Sequence, residues 1–179
     1  MTTVEKPKSY TLEFEEKATP VLIYMQDSMA WGEVVTKELV RVSTWLRTPK
    51  APNYICLYDS HLLYANSNVP PIAFKELNIP AGNVAAIHMI PPLHDPVDYD
   101  LNEPNRKLEP VTAMIGPFQL NGSVRMSTHA NLRKFLELMT EKYSSLYEVE
   151  ISQPMRPNIK PLRVPYVLIR REFTLFSTR

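Results

Sequence analysis

The chain has 179 residues, 44% of them hydrophobic and 22% charged, and its 20 basic and 19 acidic side chains leave a net charge of +1. These are ordinary globular values, enough to bury a core as one domain or two small ones. So even a balance creates no long-range field to gather nucleic acid or anionic lipid. The 17 prolines against 4 glycines argue for punctuated strands and against phosphate-cradling loops, which need several closely spaced glycines. Neither GxGxxG nor GxxxxGK[ST] occurs. The single cysteine, Cys56, rules out an intramolecular disulfide and a zinc site of paired cysteines.

Met1 to Lys8 contains no apolar signal core. No apolar run approaches the roughly 20 residues that a membrane span needs. The expectation is a soluble cytoplasmic protein with no membrane partner and no cofactor.

In chain order, an N-terminal extension (1–19) leads to a strand over Val21–Gln26, entered through Pro20. A second strand, Glu33–Thr36, follows Trp31-Gly32, which suits a loose or bulged turn. The period then changes: Val42, Trp45 and Leu46 mark one helical face, stopped before Pro49. Strands are expected at Tyr54–Tyr58, His61–Tyr64, Ile72–Ile79 and Val84–Ile90, the last two joined by Pro80-Ala81-Gly82-Asn83 turn chemistry. A proline-rich acidic linker (91–109) should be extended and solvated.

The pattern then recurs over 110–179. Pro110-Val111 answers Pro20-Val21 at an offset of 90, which also pairs Gly32 with Gly122, Val34 with Val124, Trp45 with Phe135 and Leu46 with Leu136. Leu57-Tyr58 matches Leu146-Tyr147 at an offset of 89. Such self-similarity predicts a repeated supersecondary unit. In the second copy Asn121-Gly122 reads as a hairpin turn. Ser127 and Thr128 read as caps of a helix carrying Leu132, Phe135, Leu136 and Met139. Arg133 and Glu137 are spaced for an i,i+4 pair. Strands follow at Ser145–Ile151, Tyr166–Ile169 and Phe173–Phe176, with Arg170-Arg171-Glu172 as the turn. The reading is a mainly β protein with short helices, in two domains, 20–90 and 110–179.

Residues 30–90 carry a resemblance. "GEVVTKELVRVSTWLRTPKAPNYICLYDSHLLYANS", followed by "NVAAIHMI", resembles a small bacterial domain family of unknown function with an Sm-like β-barrel. Arg41-Val42-Ser43-Thr44-Trp45-Leu46 stands at the family's R-x-S-x-x-L turn. Ile55 to Ser60 stands at its F-L-x-L-T-D-A strand, and Asn83 at its hairpin turn. The second copy is a more divergent version without equivalents of Asp59 and Asn83. The resemblance implies tandem Sm-like barrels and lateral strand-to-strand association, and it carries no chemistry.

Candidate sites are sparse. His88, His94, Asp95, Asp98 and Asp100 are suitable metal ligands by type, but they lie mostly in an extended segment, so no metal site is assigned. Asp59 and His61 share one side of a strand with no nucleophile in view, and they read as a turn aspartate and an edge histidine. Cys56, within an apolar strand, reads as a small buried hydrophobe. Trp45 and Phe135 read as core anchors, and Met25, Met29 and Met89 as core or partner surface. No catalytic residue is assigned. The one stretch with nucleic-acid character is C-terminal: Arg163, Arg170 and Arg171 with Tyr166 as an aromatic, joined by Arg156, Lys160, Arg179, Phe173 and Phe176. The favoured function is a non-enzymatic interaction, scaffold or regulatory module whose partner is another protein or another copy. The alternative is single-stranded RNA or DNA binding by the basic second copy.

Overall fold

The computed structural model describes residues 8–48, 51–65, 67, 69–100 and 102–178. Pro49 and Arg179 lie outside the described residues. The first half runs β1 (Glu16–Tyr24), β2 (Ser28–Lys37), α1 (Val42–Arg47), β3 (Tyr54–Tyr64), β4 (Ile72–Pro80), a 3-10 turn (Ala81–Asn83) and β5 (Ala86–Met89). The second half runs β6 (Arg106–Ile115), β7 (Phe118–Ser127), α2 (Leu132–Leu138), β8 (Tyr143–Ser152), β9 (Leu162–Arg170), a 3-10 turn (Arg171–Phe173) and β10 (Leu175–Thr178). The order of elements is the same in both.

Among the described residues, ten strands join one open antiparallel sheet in the order β10-β6-β7-β8-β9-β5-β1-β2-β3-β4. Each half contributes five consecutive strands in matching order, its last strand beside its first. Registers match too: β1 sets Val21 opposite Gly32, and β6 sets Val111 opposite Gly122. Backbone exceptions repeat as well. Glu15 and Asn105 have positive φ before β1 and β6, and so do Asp59 and Glu148 within β3 and β8.

Apolar alternation accounts for the strands. Val21, Ile23, Ile55 and Leu57 are fully buried in the first core, closed by Val42 and Leu46 from α1. Val111, Ala113 and Leu146 are the counterparts of Val21, Ile23 and Leu57 in the second core, which Leu120 joins and Leu132 from α2 closes. Trp45 and Phe135 pack against these cores as partly buried side chains, in the anchoring role expected of them.

Several local expectations need correction. Asn121-Gly122 is no turn: both residues lie inside β7, as Trp31-Gly32 lies inside β2. The turns fall earlier, at Met25–Asp27 and at Gly116-Pro117. At each strand glycine the pairing register shifts, between Trp31 and Glu33 and between Asn121 and Ser123. The glycines are there for close approach. A Cβ at Gly32 would lie 2.8 Å from Tyr58 O, and one at Gly122 would lie 2.9 Å from Tyr147 O. Gly116 is the glycine with positive φ, packed on the backbone of Gln26 in the other half's turn. Ser127 ends β7, and Asn131 caps α2 instead, its side chain accepting from Lys134 N–H at 2.9 Å. The Arg133–Glu137 pair forms at 2.9 Å.

Strand ends shift throughout: Tyr54–Tyr58 and His61–Tyr64 form the one strand β3, and both expected domain starts move. β1 begins at Glu16 and β6 at Arg106, each four residues before its proline. The strand continues through Pro20 because proline lacks only the donor; its carbonyl still accepts from Ile90 N–H at 2.9 Å.

The bulge glycines yield a direct test. Gly32→Ala forces a Cβ into Tyr58 O and Ser60, an overpacking that should destabilise by about 1–3 kcal/mol. Gly82→Ala, with nothing within 4 Å of its Cβ, should stay within about 0.5 kcal/mol of the parent. Urea midpoints at unchanged slope measure both.

Candidate functional site

The seam between the halves is where β5 pairs with β9. Ala86 faces Ile169 and Ile87 faces Leu168. Arg170 N–H donates to Ala85 O at 2.7 Å. The cores interlock here: Tyr24, Ala85 and Ala86 pack into the second core, while Tyr166 and Leu168 pack into the first. The Arg170 guanidinium clasps the seam, donating to Ala81 O at 3.1 Å and Gly82 O at 2.9 Å.

The linker is exposed along most of its length, and two of its aspartates tie it across the seam. Asp95 is buried, and its Oδ2 accepts from Ser43 N–H at 3.3 Å. α1 has no capping side chain of its own at Arg41, so the linker supplies one. Asp98 accepts from the Arg47 guanidinium at 2.6 Å, from Ser145 Oγ at 2.7 Å and from the Tyr147 hydroxyl. Arg47 also donates to Ser145 Oγ and to Tyr166 Oη. Burial alone would raise the Asp98 carboxyl; hydrogen bonds from Tyr147, Ser145 and Arg47 outweigh it and hold the carboxyl below its ordinary value. Burial raises the Tyr147 hydroxyl and pushes the Tyr166 hydroxyl up to about 12.

The remaining polar candidates are also engaged. His88 is buried, with Nδ1 2.7 Å from Met89 O and Nε2 3.1 Å from Tyr24 Oη. A carbonyl only accepts, so Nδ1 carries the proton and Nε2 accepts from the tyrosine. Burial lowers the His88 pKa, only partly offset by the Met89 bond. His94 contacts Asp95 O at 3.2 Å, and Asp100 Oδ1 accepts from Asn102 N–H. Among the described residues, no three His, Cys, Asp or Glu side chains converge as a metal site would require.

Asp59 occupies the β3 bulge and accepts from Ser9 N–H at 3.1 Å. His61 instead stacks on Trp31, with ring centroids 5.2 Å apart. Cys56 is half-buried, and burial raises its thiol pKa away from a reactive thiolate. Met29 packs on the second core and Met25 on the first.

The structure scatters the C-terminal basic candidates. Arg163 is exposed and paired with Glu150 at 2.8 Å. Arg170, at the other end of β9, is roughly 23 Å away at strand rise and is spent on the clasp, on Glu172 and on the Phe173 ring. Arg171 donates to Leu136 O and Glu141 O. Tyr166 is buried and offers no open ring face. No shared basic-aromatic surface results from these four.

What stays open is the sheet's edges. Among the described residues, β10 pairs only with β6, and β4 only with β3. Leu175 on β10 is 73% exposed. Beside it runs a groove of about 600 Å³ lined by Leu132, Leu136, Glu137 and Phe176. The equivalent space between α1 and β5 is filled by Tyr166 and Leu168 of β9, leaving a void of about 10 Å³. Neither the edges nor this groove had a sequence signal of its own. No helix among the described residues is long and apolar enough to cross a membrane. Comparison with protein-family models, curated proteins and solved structures finds no match to this chain.

Two titrations test the seam. The His88 pKa is lowered by folding, so its stabilising contribution is complete above about pH 6.5 and declines as pH falls below that value. His88→Gln should flatten stability between pH 7 and the lowered value. The Asp98 carboxyl, also lowered, contributes above about pH 4 and loses its effect as pH falls further. Asp98→Asn should destabilise at neutral pH by about 1–3 kcal/mol and weaken the response below about pH 4, to which Glu16 and Glu103, also lowered, still contribute. Chemical denaturation across pH measures each.

Proposed function

We propose that this chain is a non-enzymatic interaction module, a scaffold or regulator that binds by accepting strands at its sheet edges. One observation carries the reading: the groove between α2 and β10 is open where its counterpart between α1 and β5 is filled by a paired strand. An unpaired edge beside an apolar groove is the geometry of strand addition, in which backbone bonds give affinity and side-chain pockets give selectivity.

The same reading takes each half as a small Sm-like barrel and the chain as their tandem repeat. Its support is the shared element order and the placing of each half's first strand between its second and fifth. The partner is a protein strand or another copy of the chain. Single-stranded nucleic acid is less well supported, because Arg170 and Arg171 are occupied and Tyr166 is buried.

The test uses a peptide with the sequence of β9, Leu162–Arg170, the strand that already fills the equivalent groove. Titrated into the intact protein, it should produce saturable amide shifts confined to β10 and α2. Leu175→Lys, which puts a charge on the edge, should abolish them. No shift at saturating peptide overturns the strand-accepting reading. A salt-sensitive gel shift with single-stranded RNA would favour the nucleic-acid alternative instead.

A further inference from the structure

The two open edges are not arbitrary strands. β4 holds in the first half the place that β9 holds in the second, and β10 holds the place of β5. Register fixes the residues. Ala86 pairs with Tyr24 and Leu175 with Met114, so Leu175 is the counterpart of Ala86. Ile79 pairs with Ile55 and Ile169 with Ser144, so Ile79 is the counterpart of Ile169. The chain therefore ends, on its two sides, in the two partners of a junction that it already makes once internally.

We propose that a second copy of this chain docks by antiparallel pairing of its β4 with β10 of the first, repeating the β5–β9 seam between molecules. The proposal rests on the interaction reading above and names its partner. Leu175 sits opposite Ile79, and Phe176 opposite Asn78. Leu175, 73% exposed, becomes covered as Ala86 is, at 0%. The contact is head-to-tail, so each added copy presents the same free edge again, and association closes into a ring or continues as a filament.

The copy-to-copy seam is weaker than the internal one, for nameable reasons. Pro80 replaces Arg170, so the backbone N–H given to Ala85 O and the guanidinium clasp are both missing. Glu76 and Asn78 occupy the positions of Tyr166 and Leu168. Glu76 then approaches α2 where Glu137 stands, the counterpart of Arg47. Association is thus reversible and concentration-dependent, with the internal seam as the permanent version.

Sedimentation of the full chain over a wide concentration range tests this. The parent should show a mass that rises with concentration, and Leu175→Lys should remain monomeric. The double variant Glu76→Tyr with Asn78→Leu restores the chemistry of the internal seam and should tighten association roughly tenfold or more, one decade per 1.4 kcal/mol. Adding Leu175→Lys to that pair should return it to monomer. All three positions are exposed, so none of the changes threatens the fold. A parent and a double variant that both stay monomeric overturn the proposal, and so does association of the double variant that ignores Leu175→Lys. If β10 still takes up the β9 peptide in a protein that never self-associates, the second copy is ruled out and the strand-accepting reading stands.

Discussion

The β5–β9 seam is the constraint on which the rest of this molecule depends. Its register covers only two residue pairs, yet it turns two five-stranded halves into one sheet. Such a short ladder is insufficient alone; what secures it is the exchange of side chains across it. Tyr166 and Leu168 complete the first core, while Tyr24 and Ala86 complete the second. Neither core is closed without residues from the other half. The burial that makes each half stable is thus the same burial that holds the halves together.

Polar chemistry follows the same logic. The acidic residues of the linker are side chains with structural employment. Asp98 gathers an arginine from the first half and a serine and tyrosine from the second around one half-buried carboxylate. A charge is tolerated there because three donors converge on it. Burial disfavours the charged form of His88, and its two ring nitrogens are matched by a carbonyl acceptor and a hydroxyl donor.

Much of the architecture was legible in the sequence. The mainly β character, the change from strand to helix period at Val42 and Leu132, and the Arg133–Glu137 pair all reflect local rules that a single chain displays directly. The misplaced features share a cause: each is decided by something distant in sequence. Asn121-Gly122 looks like a turn until Tyr147 O is brought within 2.9 Å of where its Cβ would be; close approach, not positive φ, selects that glycine. The capping role of Asp95 depends on Ser43, 52 residues away. Tyr166 had the composition of a nucleic-acid contact and the alternation of a core residue, and the alternation prevailed. The open groove beside β10 had no signature, because an absence of filling is visible only against the filled counterpart.

The capping of α1 by Asp95 bears on where the first half ends. By strand order, it closes at Met89, the last residue of β5. By physical dependence it extends to Asp98, since the helix takes its cap from Asp95 and Arg47 its counter-charge from Asp98. The segment after β5 therefore belongs physically with the first half, whereas α2 is capped by its own Asn131. Two units alike in strand order differ in self-sufficiency: one carries its helix terminator in its own sequence, and the other borrows it from the thread leading out.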